Sequence, residues 1–326
     1  MPRASHDGVS LRYEVDSVDD ESARGPPIVF VGGVELGRWA WRWQREAFRG
    51  RRRVIVPFLR GTGPVGPSDG ISLDDGTRRS DAGLAPGVGS LPKRLRRSVV
   101  AHGGGYAIAD LAADLEAVLA DDAALGRGRS QVVHLVGQGL GGAVALQCAL
   151  EDDRRIQSLS LLGTRHGGPG TPETPEESRS QVRDPEGTSA RERDRNRLRP
   201  FFTPPFVARN PHLFDRLLAW QDEQGPDAAT RDAQWAAWDG FDPSDRLPKL
   251  SLPTLVIHGT ADRLVPVENG HALAADIAES SIEPLEGAGH LAGVERPERV
   301  NDRIAAFVRS VERTDSNRTD NNHLAP

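Results

Sequence analysis

The chain has 326 residues, a formal net charge of −6, 27% charged residues and one cysteine. The length suits one large α/β domain with an insertion, or two ordinary domains, and the single Cys148 excludes an internal disulfide and points to a reducing interior. Negative charge without aromatic residues among the basic runs argues against a nucleic-acid groove, and no run approaches the ~18 apolar residues of a membrane span.

In chain order, Val9–Val15 alternates as a half-buried edge strand. Ile28-Val29-Phe30-Val31 reads as a buried strand that ends in Gly32-Gly33. Residues 38 to 49 suit a helix carrying Trp39, Trp41 and Trp43. These three either pack on the sheet edge or wall a pocket for an apolar substrate. Arg53–Pro57 is the next strand. Residues 66 to 105, rich in Gly, Pro, Ser and Arg, show no sustained period and read as a lid or a disordered loop. Tyr106–Leu119 resumes a helical pattern, with Ile108, Leu111, Leu115, Val118 and Leu119 on one face.

The apolar run Gln131–Val136 leads into Gly137-Gln138-Gly139-Leu140-Gly141, followed by the small-residue segment Gly142–Leu146. Strand, glycine-spaced turn and helix are the context of the nucleophile elbow G-x-S-x-G, here with glycine in the middle. The same residues fit G-x-G-x-x-G. That dinucleotide motif needs a first βα unit and an acid after the next strand. Two strands come earlier, and Ile156–Leu162 ends in Gly163-Thr164-Arg165, with no acid. Cys148, on the helix after the turn, reads as packing.

Residues 167 to 199 are dominated by Pro, Glu, Ser, Asp and Arg and are expected to be disordered. Phe206–Trp220 and Ala228–Trp238 read as two short helices, with Phe214, Leu217, Leu218, Trp235 and Trp238 as their apolar material. Pro253–Gly259 is another buried strand, followed by Thr260-Ala261-Asp262. Then come Gly287-Ala288-Gly289-His290 and a helix opening at Glu295-Arg296-Pro297-Glu298. Past residue 313 the sequence is polar and is expected to be mobile.

Elbow position, then acid, then histidine is the order of the α/β-hydrolase fold. The chain resembles that family from about residue 9 to residue 310. Its wording is also similar to hydrolase-fold proteins of halophilic archaea, and only two lysines, Lys93 and Lys249, stand among its 41 basic residues. The resemblance implies an α/β fold, a doubly wound, mostly parallel sheet with an inserted small helical cap. Residues 1–164 and 246–312 would form the core domain, 165–245 the cap and 313–326 a tail.

Carried over residue by residue, Asp262 matches the family's acid and His290 its base. The N–H groups of Leu140 and Val34 match the oxyanion donors, and Gly139 holds the nucleophile's place without a side chain. The sequence departs from the family at Gly32-Gly33, where His-Gly is common. It departs again at Phe58-Leu59-Arg60-Gly61-Thr62-Gly63, which lacks the usual leading Asp. Gln138, Trp39 and Trp235 are the candidate substrate contacts.

The function implied is action on a small, apolar ester, lactone or carbonyl substrate by an Asp262–His290 dyad. Either His290 activates water for direct attack, or it abstracts a substrate proton while the backbone donors hold an enolate. The alternative is a non-catalytic ligand-binding or scaffold protein, in which the pair is inherited structure. No cofactor and no metal are expected, because the remaining histidines show no ligand spacing. Arg51-Arg52-Arg53 and Arg94, Arg96 and Arg97 read as solvated. With no charged-then-apolar leader in sight, a cytoplasmic monomer or homodimer binding a small molecule is expected, with no membrane or nucleic-acid partner.

Overall fold

The computed structural model describes residues 1–16, 25–62, 105–126 and 130–323, with 316–323 as backbone only. Nearly all of the stretch read as a lid, 66 to 105, lies outside the described residues, as do Arg94, Arg96 and Arg97. Eight strands form one sheet: β1 (Arg3–His6), β2 (Val9–Asp16), β3 (Ile28–Val31), β4 (Val54–Pro57), β5 (Val133–Gln138), β6 (Ile156–Leu162), β7 (Thr254–Gly259) and β8 (Ser280–Leu285). Their order is β1-β2-β4-β3-β5-β6-β7-β8. β1 and β2 pair antiparallel, as do β2 and β4, and every other pairing is parallel.

β3, β4, β5 and β7 are buried at every position, which is why they read as unbroken apolar runs rather than as alternation. Among the described residues, twelve helices accompany the sheet. α1 (Arg42–Phe48) follows a 3-10 turn at Arg38–Trp41, so the helix expected over 38 to 49 begins as a tighter coil. α2 (Ile108–Leu119), α3 (Asp122–Leu125) and α4 (Leu140–Glu151) precede the insertion. Within it lie α5 (Glu176–Arg183), α6 (Ala190–Leu198), α7 (Pro204–Arg209), α8 (Pro211–Gln224) and α9 (Ala228–Asp239). α10 (Glu268–Asp276), α11 (Ala292–Glu295) and α12 (Pro297–His323) complete the set.

Strand alternation divides the core between two faces. Val29, Val31, Leu135, Leu159 and Leu161 pack with α2, α4 and the insertion. Ile28, Phe30, Val136, Leu162 and Ile257 pack with Trp41, Phe48 and the α12 residues Val300, Ile304 and Val308. After β3 the chain crosses to β4 on one side and later returns to β5 on the other. The loops after β3 and β5 therefore part at a switch point, where open α/β sheets place their ligands.

Three expectations need correction. The segment 167–199, expected to be disordered, contains α5 and α6. Val182 and Leu198 bury fully, the Ser189 side chain caps α6, and Arg179 grips Asp239 of α9 with two 2.8 Å hydrogen bonds. The helix expected over Phe206–Trp220 is two, because Pro211 lacks the N–H and the room to continue α7. The tail expected to be free from 313 continues α12 to His323, and Asp315 accepts a 2.7 Å hydrogen bond from Gln157. Among the described residues, no helix is long and apolar enough to cross a membrane.

Candidate active site

β5 ends at Gln138 and α4 starts at Leu140, so Gly139 alone makes the turn. Its φ of 53° and ψ of −112° are conformations that a Cβ disfavours. The neighbouring glycines answer to space instead. A Cβ on Gly137 would lie 2.4 Å from the Gly141 carbonyl oxygen, on Gly141 2.2 Å from that of Val31, and on Gly142 1.9 Å from Thr164 Oγ1. These absences of side chain let α4 press on the strand ends. At Gly139 the nearest atom to such a Cβ is His290 Nε2, at 3.0 Å. The side-chain direction of residue 139 therefore points at the histidine.

Asp262 leaves the end of β7 and His290 the loop after β8, which brings both to the same sheet edge. His290 Nδ1 stands 2.8 Å from Asp262 Oδ2. Leu264 and Val265 donate their N–H groups to Asp262 Oδ1 at 2.8 and 2.9 Å, which fixes the carboxylate. With Nδ1 facing that acceptor, the neutral ring leaves Nε2 as a lone-pair base. This Nε2 is buried and has no hydrogen-bond partner. His258 lies beside the pair, its Nε2 2.8 Å from the Val265 carbonyl and 3.6 Å from Asp262 Oδ2. Burial holds its pKa down and favours the neutral ring.

The two expected backbone donors lie at the start of α4 and in the loop after β3. Leu140 is the first helical residue, so its N–H has no intrahelical partner. Val34 follows Gly33, where a Cβ would lie 3.1 Å from the Gln138 carbonyl oxygen, so the loop after β3 abuts the end of β5.

The three candidate substrate contacts are placed otherwise. Gln138 is buried and donates from Nε2 to the His290 carbonyl at 3.0 Å, so it steadies the histidine loop. Trp39 is turned to α8, with its indole N–H on Gln221 Oε1 at 2.8 Å and its backbone N–H on Gln224 Oε1. Trp235 donates to Glu35 Oε1 at 2.6 Å. The side chains that close over His290 are Trp238, at 6.3 Å between ring centroids, and Phe201, edge-on at 5.7 Å.

Two carboxyls that the sequence did not mark tie this cover to the core. Glu295 accepts from the Thr203 N–H at 2.6 Å, from its hydroxyl, and from the Gly289 N–H, joining the insertion to the residue before His290. Glu35, next to Val34, is almost wholly buried at a φ of 64°. The one sequence cue for Glu295 was its place at a helix opening; Glu35 had none. Among the described residues, no three His, Cys, Asp or Glu side chains gather as a metal site.

A protein-family model described as "Alpha/beta hydrolase family" matches residues 28–303. The "Putative carbamate hydrolase" of Azorhizobium caulinodans is 24% identical over 314 residues, covering 96% of this chain and all of that protein. Among solved structures, a thermophilic esterase from Thermogutta terrifontis aligns with a TM-score of 0.67 and 25% identity, covering 95% of this chain and 98% of the other. The enol-lactonase from Burkholderia xenovorans gives a TM-score of 0.69 at 22% identity, over 94% of this chain and 100% of its own, a likeness of fold.

Proposed function

Because the chain belongs to the alpha/beta hydrolase family, we propose that it acts on a small, mainly apolar ester, lactone or carbonyl compound through Asp262 and His290, without a serine nucleophile. One observation carries this reading. The buried, unpartnered Nε2 of His290 lies 3.0 Å from the point where residue 139 would begin a side chain, and Gly139 supplies none. A water molecule or a substrate C–H placed there meets a base oriented by Asp262. The N–H groups of Leu140 and Val34 are the candidate hydrogen-bond donors to the oxygen that develops negative charge.

Two routes use this arrangement. In hydrolysis, His290 takes a proton from water as the oxygen attacks the carbonyl carbon, then returns it to the leaving oxygen. In the other, His290 removes a proton beside the carbonyl and the backbone donors hold the enolate. Relatives bearing hydrolase, esterase and lactonase names support the first.

The test is turnover of a panel of small esters and lactones by the wild type and by His290→Ala. Loss of at least a hundredfold in kcat, with the wild type unlabelled by a fluorophosphonate, fits the reading. Labelling of the wild type, or an unchanged rate in His290→Ala, sinks it. A second reading, binding without turnover, is favoured by the cover: His290 is only 1% exposed beneath Phe201 and Trp238. Ligand affinity that survives His290→Ala, with no turnover in either protein, would select it.

A further inference from the structure

A cavity of about 150 Å³ lies between the loop after β3 and the helical insertion, walled by Glu35, Leu36, Arg197, Phe201, Gln221 and Arg231 among others. Glu35 is held there from three sides. Its N–H donates to Gln234 Oε1 at 2.8 Å, its carbonyl accepts from Gln221 Nε2 at 2.6 Å, and its Oε1 accepts from Trp235 Nε1 at 2.6 Å. A non-glycine residue at a φ of 64° is uncommon and persists where surrounding contacts over-determine it. The second carboxyl oxygen is different. Oε2 stands 3.9 Å from Arg197 Nε, beyond hydrogen-bond reach, although the side chain is only 5% exposed.

We propose that this cavity is a binding subsite for a carboxamide or carbamoyl group, held between the Glu35 carboxyl and the guanidinium groups of Arg197 and Arg231. Each guanidinium has donors to offer, since a guanidinium carries five. Arg197 bonds Val182 O and Asp194, and Arg231 bonds Pro226 O. Charge and hydrogen-bonding capacity together decide against the simpler ligands. A carboxylate would face Glu35 together with Asp194 and Asp222, which also line the cavity, and an ammonium would face both arginines with no acceptor to offer them. A carboxamide is neutral and sets a donor beside an acceptor. Its NH₂ can donate to Glu35 Oε2 while its oxygen accepts from a guanidinium.

The protonation of Glu35 strengthens this choice. Burial, against the opposing Trp235 hydrogen bond and the charges of Arg231 and Arg197, pushes its pKa up to about 7, with Asp232 adding to the rise. Near neutral pH both forms are present. An amide donates to the carboxylate and accepts from the carboxylic acid, so it pairs with either. Phe201 walls this cavity and also packs on His290, so the subsite is one aromatic ring from the dyad. That it holds the remote end of a substrate rests on the function proposed above; that it binds an amide does not.

The experiment is equilibrium binding to the full chain, labelled with ¹⁵N-tryptophan, using n-butyramide, n-butyrate and n-butylammonium at pH 6.5 and 8. The reporter is the Trp235 indole N–H resonance, assigned with Trp235→Phe. Butyramide should shift it saturably at both pH values, with a Kd at least about tenfold below that of either charged probe. Arg231→Gln should weaken butyramide by a similar factor, as should Glu35→Leu if it folds. Tighter binding of a charged probe, no saturable shift with any probe, or unchanged butyramide binding in Arg231→Gln would overturn the assignment. No turnover is involved, so an inactive dyad leaves this result standing and a failed binding test leaves the dyad untouched.

Discussion

At residue 139 two requirements meet. The backbone conformation there favours glycine, whereas nucleophilic chemistry would require a side chain. A hydrolase with an elbow serine carries that strain, of order 1–3 kcal/mol, for the sake of the nucleophile. Gly139→Ser should therefore lower stability by about 1–3 kcal/mol in urea unfolding. The His290 ring must also give by a few tenths of an ångström, because a Cβ at this position stands 3.0 Å from Nε2. If the ring yields, the new hydroxyl meets a base, and the variant should gain hydrolysis of activated esters together with fluorophosphonate labelling. A folded variant with neither gain would show that the loop and the dyad are not aligned for acyl transfer. Gln138→Leu is the complementary change. It removes the hydrogen bond to the His290 carbonyl, so kcat should fall while KM for the same substrate stays nearly constant; an unchanged kcat would deny Gln138 a positioning role.

Among the elements, the insertion departs most from what its sequence suggests. α5 and α6 are polar almost throughout, and a local window finds no apolar face to dock. α5 is anchored by an ion-pair cluster built across 60 and 74 residues of chain, in which Asp239 on α9 meets Arg179 and Arg165. All three side chains are largely buried. Asp239→Ala would take the shared carboxylate from Arg179 and from Arg165, which keeps Glu173 at 3.6 Å; removing one partner of a buried ion pair typically costs about 3–5 kcal/mol. Unfolding midpoints should show that loss, and limited proteolysis should cut first between residues 176 and 198. Equal stability and resistance in the variant would mean that apolar contacts alone hold these helices.

The same contrast explains what the sequence could show. β3, β5 and β7 are legible because burial on both faces demands unbroken apolar runs. β8 is half-exposed and mixes Ser, Glu and Pro, and β1 is polar with no buried position, so neither announces itself. Asp262 and His290 are legible because each sits in a short glycine-marked loop after a strand. Glu35 is not, because its burial is made by helices some 200 residues further along the chain.

For the whole molecule, this distant burial becomes a dependence of stability on pH. Folding raises Glu35 from an ordinary 4.5 to about 7, with desolvation as the main cause. The native state therefore holds this proton more tightly than the unfolded chain does. Stability from Glu35 is fully present below about 4.5 and is lost as pH rises through about 7, by about 3 kcal/mol in all. Two buried histidines act in the opposite sense. Burial lowers the pKa of His134 and of His258, so their contribution is present above about 6.5 and is lost as pH falls. Glu312 works lower still. Burial raises its pKa, but the His134 ring 3.7 Å away and hydrogen bonds from Arg52 outweigh that and hold it at about 2, so its stabilisation fails only in acid. Because the histidine contributions overlap with that of Glu35 below about pH 6.5, the wild-type profile alone cannot isolate Glu35. The difference from Glu35→Gln can, since the histidines and Glu312 cancel in it. Urea unfolding of both proteins from pH 5 to pH 8 should show the wild type losing ground to the variant, most steeply between about pH 5 and 6.5 and levelling off above about pH 7. A difference that is flat across that range would place the Glu35 carboxyl in water rather than under the insertion, and the amide subsite would fall with it.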